Sequence, residues 1–184
     1  MKNILIIGAN GFTGRRILND LSVNPIYHVT GCSLRDDICP GKDYRFVRTD
    51  IRDENEVRKL FKECRPDIVI NTSALSVPDY CETHHAEAEA TNVTAVETIA
   101  HVCEQYGSRF IHLSTDFVFD GKSTRLYKEE DEAIPVNYYG VTKLKAEKII
   151  ASICSNYAIV RVVVVYGKAL PGQHGNILQL AANL

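Results

Sequence analysis

Tyr139 and Lys143 stand four residues apart in a stretch, Tyr138 to Ile153, whose apolar residues recur at helical spacing, so both side chains leave one helix face. A tyrosine with an ordinary pKa of about 10 donates a proton poorly near neutrality unless an ammonium stabilises its phenolate. A lysine one turn away supplies that ammonium, which makes the pair a candidate proton donor with its tuner. Such pairs also arise by chance on helix surfaces. A third group precedes them: Phe110 to Leu113 reads as a strand, and the hydroxyl of Thr115 leaves its carboxyl end in Ser114-Thr115-Asp116. Near the amino terminus, Gly8-Ala9-Asn10-Gly11-Phe12-Thr13-Gly14 follows an apolar run and opens a helix. There the backbone N–H groups and the positive helix end would receive a dinucleotide's pyrophosphate, with Gly8, Asn10, Gly11, Phe12, Thr13 and Gly14 as the contact set. A turn by itself also calls for glycine.

The residues after the second strand decide which dinucleotide fits. Enzymes that use NAD place a carboxylate on the ribose hydroxyls at this point, and those that use NADP place a cation on the 2′-phosphate. The segment is Gly31-Cys32-Ser33-Leu34-Arg35, so Ser33 and Arg35 offer a hydroxyl and a guanidinium, with Arg15 near enough in sequence to assist from the first helix. NADP is expected. A shift of register would admit Asp36 or Asp37 as the ribose acid and leave NAD open. Cys81, His84 and His85 are metal-capable types, but no second ligand pair answers them at a recognisable spacing, so no metal is expected against the plainer reading of a solvated helix start.

These groups need a scaffold that brings them to one edge. Ile4 to Ile7, His28 to Gly31, Arg45 to Val47, Asp67 to Asn71, Phe110 to Leu113 and Ala158 to Val165 read as strands. Between them lie helical stretches at Thr13 to Leu21, after Asp53 as cap with Glu56 three residues on, from about Ala86 to Tyr106 before Gly107, and at Tyr138 to Ile153. The alternation predicts an α/β, Rossmann-like doubly wound parallel sheet with helices on both faces and a ligand crevice at the carboxyl ends of the strands. Residues 1–184 are expected to form one NAD(P)-binding domain. The apolar-faced segment Gly175 to Leu184 stops in mid-pattern, and a C-terminal substrate lobe is expected to be largely absent.

Composition narrows the function classes. The 21 basic and 23 acidic residues are dispersed, with no Lys/Arg tract for nucleic acid or anionic lipid, so neither partner is expected. The apolar run at Ile4 is too short for a signal peptide and that at Val162 to Val165 too short for a bilayer, which places the protein in the cytoplasm. Six cysteines without a Cys-x-x-Cys pair read as buried free thiols.

The G-x-x-G-x-x-G turn, the Ser114-Thr115-Asp116 turn and the Tyr-x-x-x-Lys helix, in this order, resemble the extended short-chain dehydrogenase/reductase family. The resemblance is to its dTDP-4-dehydrorhamnose reductase branch, which also holds the NADP-binding beta subunit of methionine adenosyltransferase. It rests on Asn71-Thr72-Ser73-Ala74, Val77, Asp79 and Glu82, Asn92-Val93, the block Ser114 to Gly121, and the block Tyr138 to Lys148. It implies that Asp50 and Ile51 contact adenine and that Asn71, Ser73 and Ala74 pass under the cofactor ribose. Read without it, the Asp50 region is a helix cap and Asn71 to Ala74 a turn. It also implies that Thr115 bonds the substrate carbonyl, Tyr139 donates the proton, and Lys143 binds the nicotinamide ribose and lowers the tyrosine pKa. The implied reaction is hydride transfer from NADPH to C4 of a nucleotide-linked keto sugar, giving dTDP-L-rhamnose. The alternatives are a non-catalytic NADP-binding regulatory subunit and another sugar-nucleotide epimerase or reductase. Phe117 and Val163 depart from the branch, which commonly has tyrosine at the first and proline or serine at the second; Asp116-Phe117 in place of an Asp-Glu dyad disfavours elimination of water. A nucleotide sugar is the expected substrate, and a homodimer is left open.

Overall fold

The structure, a computed structural model, describes residues 1–41, 43–170 and 173. Six strands form one parallel sheet: β1 (Lys2–Ile7), β2 (Tyr27–Ser33), β3 (Arg45–Arg48), β4 (Ile68–Asn71), β5 (Arg109–Thr115) and β6 (Tyr157–Val162). Their order is β3-β2-β1-β4-β5-β6. This is the doubly wound arrangement, and its switch point lies between β1 and β4, where successive connections leave for opposite sides.

Parallel neighbours require crossovers, and four of the five carry helices, the one from β2 to β3 being the exception: α1 (Phe12–Ser22), α2 (Glu54–Cys64), α3 (Pro78–Thr83), α4 (His85–Glu89), α5 (Ala95–Tyr106) and α6 (Tyr138–Ile153). Alternate residues of β1 go to opposite layers. Leu5 and Ile7 pack with Val57, Phe61, Ile99 and Ile150 from α2, α5 and α6, whereas Ile4 and Ile6 meet Leu18 of α1. Helices therefore cover both faces, and β1 is buried from Ile4 to Ile7 because it is sandwiched between them.

Local chemistry fixes the helix ends. Asp53 caps α2 by accepting from the amides of Asn55 and Glu56, as its sequence position suggests. The Glu56 carboxylate, however, accepts from the Asp50 amide at 2.6 Å instead of closing a box on Asp53. Arg65 ends α2 in the left-handed region at φ 41°, and Gly107 ends α5 at φ 67°.

Two elements differ from the sequence reading. The helix expected over Ala86 to Tyr106 is interrupted by a π-helical turn, Ala90–Thr94, that swings Asn92 inward. Asn92 then accepts from the Leu75 amide and donates to the Leu75 carbonyl and the Thr142 hydroxyl, so the wider turn is held by side-chain bonds to the loop after β4 and to α6. Strand β6 ends at Val162, short of Val165, because its partner ends at Thr115, which pairs with Val162. The segment Gly175 to Leu184 lies outside the described residues. Among the described residues no helix is long and apolar enough to cross a membrane.

Candidate active site

Three of the expected glycines do different work. Gly8 sits at φ +81°, and a Cβ there would fall 2.8 Å from the Ser73 amide; a Cβ on Gly14 would fall 2.3 Å from the Gly8 carbonyl. These two let the first turn pack against the end of β4 and against α1. Gly11 is exposed and caps α1 with backbone only; no side chain caps this helix end and its first turn holds no acid. The amides of Phe12, Thr13 and Gly14 thus form a positive helix terminus without a built-in anion.

A cleft of about 220 Å³ opens beside this turn, and Gly8, Ser33, Asp50, Ile51, Ser73 and Ala74 are among the residues lining it. The structure gathers these six candidate residues at the carboxyl edge of β1 to β4. A larger hollow, about 410 Å³ and lined in part by Asn3, Tyr27, Asp43 and Pro66, lies at the opposite edge of the sheet, away from every candidate group. Asp50 turns its carboxylate on Arg52, 2.7 Å from its Nη2, and it is Asp53 that caps the following helix.

Asn10 does not face the cleft freely. Its amide donates to the carbonyls of Arg35 and Asp36, and its oxygen accepts from Arg15, which ties the glycine turn to the segment after β2. Arg15 is corrected from its expected part as a second phosphate cation: it is 2% exposed, ion-paired with Asp37 and 2.8 Å from the Tyr44 hydroxyl. Burial in that cluster holds it away from a nucleotide. Asp37 is engaged by the same pair, and its carboxyl sits below the usual carboxylate range through bonds from the Cys39 amide, Arg15 and Tyr44 that outweigh its partial burial. Arg35 remains exposed.

At the end of β5, Thr115 accepts from the Phe117 amide at 3.2 Å and donates to Asp116 Oδ1 at 3.2 Å, and its side chain favours the ionised form of Tyr139. Tyr139 is 8% exposed, with Phe117 edge-on at 6.0 Å between ring centres. Burial pushes the phenol up to about 12, with Cys81 and Asp116 adding to the rise and the Thr115 side chain opposing it. Lys143 is 1% exposed and donates to the Leu113 carbonyl at 2.7 Å, with His112 Nε2 at 2.9 Å. Burial lowers it to about 7, against a smaller upward pull from Glu147. The burial that places the lysine thus opposes the charge on which its expected effect on Tyr139 depends.

Asn71 lies apart from the cleft. It is fully buried, and it joins the two halves of the site: its oxygen accepts from the Ser73 amide and hydroxyl, and its nitrogen stands 3.2 Å from His112 Nδ1.

Several supporting groups escaped the sequence reading. Glu147 accepts from Ser114 at 2.5 Å and from Arg161 through two nitrogens, clamping α6 to β5 and β6. Its signal was present as the i, i+4, i+8 series Tyr139, Lys143, Glu147. Asn137 caps α6 through the Gly140 amide, and Gly140 lets that helix touch the loop after β5, since a Cβ there would lie 2.2 Å from the Phe117 carbonyl. His112 was visible only as a polar residue inside an apolar strand. Among the described residues, no group of three His, Cys, Asp or Glu side chains is arranged to hold a metal.

Comparison with known proteins places this geometry among relatives. A family model described as the RmlD substrate binding domain matches residues 1–184. The chain is 32% identical over 167 residues to the beta subunit of methionine adenosyltransferase 2 from Bos taurus, covering 91% of this chain and 48% of that protein. It is 35% identical over 162 residues to a probable low-salt glycan biosynthesis reductase from Haloferax volcanii, covering 88% and 53%. A crystal structure of a dTDP-4-dehydrorhamnose reductase from Clostridium acetobutylicum superposes with a TM-score of 0.79 at 31% identity, covering 98% of this chain and 58% of that one. The Bacillus anthracis dTDP-4-dehydrorhamnose reductase in complex with NADP gives 0.82 at 25% identity, covering 99% and 59%. The chain spans about half the length of the curated relatives it matches.

Proposed function

The chain belongs to the RmlD substrate-binding-domain family, within the extended short-chain dehydrogenases/reductases, and from that membership we propose that residues 1–184 serve NADPH-dependent reduction of a 4-keto sugar nucleotide. The substrate we assign is dTDP-4-dehydrorhamnose and the product dTDP-L-rhamnose. NADP suits the site: Gly8 and Ser33 line the cleft, the uncapped end of α1 follows Gly8 in the same turn, and exposed Arg35 follows Ser33 at the end of β2, where a cation for the 2′-phosphate is expected. NAD is the alternative, with Asp36 as the ribose acid, since Asp37 is paired with Arg15.

When bound, NADPH supplies the hydride, and the residues of this chain supply position and a proton. Thr115 donates a hydrogen bond to the ketone oxygen. Tyr139, kept protonated by its burial, gives its proton to that oxygen as negative charge develops on it. Lys143, once turned from β5 and charged, would hold the ribose hydroxyls and stabilise the phenolate left behind. The observation that carries the reading is the buried Tyr139 at the start of α6, one helical turn from Lys143, with the Thr115 side chain at the carboxyl end of β5 acting on its phenol.

A second reading, a nucleotide-binding regulatory subunit, is favoured by one observation: Lys143 turns into β5 toward His112 and Leu113. The test is NADPH consumption with dTDP-4-dehydrorhamnose by a complete enzyme carrying this domain, beside Tyr139→Phe. We expect turnover that falls by about 10²–10⁴-fold in the variant while NADPH binding persists. Binding without turnover, in a protein that co-purifies with a synthetase, would favour the second reading.

A further inference from the structure

Asn71, His112 and Lys143 form a buried chain of hydrogen bonds whose protons can be assigned from geometry. The Ser73 backbone N–H can only donate, and it lies 3.0 Å from Asn71 Oδ1, which fixes the orientation of the Asn71 amide. Ser73 Oγ donates to the same oxygen at 2.6 Å. The Asn71 NH₂ group must then face His112 Nδ1, 3.2 Å away, and it too can only donate. His112 Nδ1 is thereby the acceptor, and the proton of the neutral ring sits on Nε2.

That proton points at Lys143 Nζ, 2.9 Å away. An ammonium has three donors and no acceptor, so a charged Lys143 would set two donors face to face. Placing the ring proton on Nδ1 instead creates the same conflict with Asn71. One assignment satisfies every contact: a neutral Lys143 amine accepts from Nε2–H and donates to the Leu113 carbonyl.

The other charges near Lys143 do not undo this. From its own helix it faces Tyr139 and Glu147; Glu147 is taken up by Ser114 and by Arg161 of β6, and Tyr139 stays protonated. His112 and Lys143 are both buried, so water offers neither an alternative partner.

We propose that His112, locked by Asn71 in its Nε2–H tautomer, is a positioning residue that holds Lys143 as an uncharged amine and so sets when the site can present an ammonium to Tyr139. This rests on the assignment of Tyr139 and Lys143 to the reacting site. Burial acts in the same direction on both groups, lowering Lys143 to about 7 and His112 well below its ordinary value.

The test is long-range proton–nitrogen NMR of the protein without added nucleotide, with the His112 signals identified by their loss in His112→Gln. We expect a bare Nδ1 and a protonated Nε2 that do not titrate across neutral pH, and a Lys143 that loses its proton near pH 7. In Asn71→Asp, whose second carboxylate oxygen would accept from Nδ1–H, the tautomer should reverse and the Lys143 midpoint rise by at least about one pH unit. A Nδ1–H tautomer in the unmodified protein overturns the proposal, as does a folded Asn71→Asp with unchanged tautomer and midpoint. If that variant does not fold, the unmodified tautomer decides. An Nε2–H tautomer in a protein that consumes no NADPH leaves this inference standing and removes the proposed reaction alone.

Discussion

The fate of two arginines shows what residue type alone cannot tell. Arg15 follows the glycine turn and Arg35 follows β2, and both are cations a 2′-phosphate could meet, yet one is buried against Asp37 and the other is exposed. Only the exposed one has a guanidinium free to meet a 2′-phosphate bidentately. Arg35→Ala should therefore reduce affinity for NADPH by about tenfold or more while leaving NADH binding nearly unchanged, as for a lost charge-assisted hydrogen bond. Fluorescence titration with both nucleotides measures this. Equal weakening for the two would show that Arg35 shapes the loop without reading the phosphate.

The candidate proton donor and its lysine were legible because a spacing of four on a helix fixes a shared face before any tertiary contact is known. Their charge states were not, since these depend on desolvation by α6 packing on β5 and on a histidine thirty-one positions earlier in sequence.

At the level of elements, the alternation of strands and helices carried most of the fold, because an apolar run bounded by glycine or a capped amphipathic stretch is a local signal. Asp53 illustrates it: cap, helix and buried face are all written within one segment. The π-helical turn was hidden, because what stabilises it is the bonding of Asn92 to Leu75 and Thr142, both distant along the chain. Gly140 was hidden for the same reason. Its missing Cβ admits the Phe117 carbonyl, a contact between α6 and the loop leaving β5. Gly140→Ala should raise intrinsic helix propensity and still destabilise the protein by about 1–3 kcal/mol, because backbone must move to admit the methyl group. Urea unfolding with an unchanged slope would report that loss. A stabilised variant would mean that α6 can shift without cost.

For the molecule as a whole, the buried ionisable groups set a pH profile of stability. Unfolded lysine stays protonated to about 10.5 whereas Lys143 releases its proton near 7, so between these values the unfolded chain binds more protons and stability rises with pH. His112 acts with the same sign in more acidic solution, its buried ring staying neutral where an unfolded imidazole is charged. The opposite sign enters above the ordinary thiol value of 9.0, where Cys32 and Tyr139, raised to about 12, and Cys64 and Cys154, raised to about 11, keep protons that the unfolded chain loses. Stability should climb from about pH 6, peak near about pH 8.5 and decline beyond it. Unfolding midpoints across that range test the profile, and Lys143→Met should flatten its rising limb. A rise that survives this substitution would assign it to other groups.

The strand order has a consequence for how the chain emerges during synthesis. Of these six strands the first made is central, and β2 and β3 extend the sheet outward on one flank before β4, β5 and β6 extend it on the other. Each new strand thus docks on an edge that already exists, and none has to be threaded between two finished neighbours. Until β4 leaves the ribosome, one flank of β1 is an unpaired row of amides and carbonyls beside an apolar face, an aggregation-exposed interval. The same moment creates the crevice between β1 and β4, so the nucleotide site comes into being when the vulnerable edge is closed.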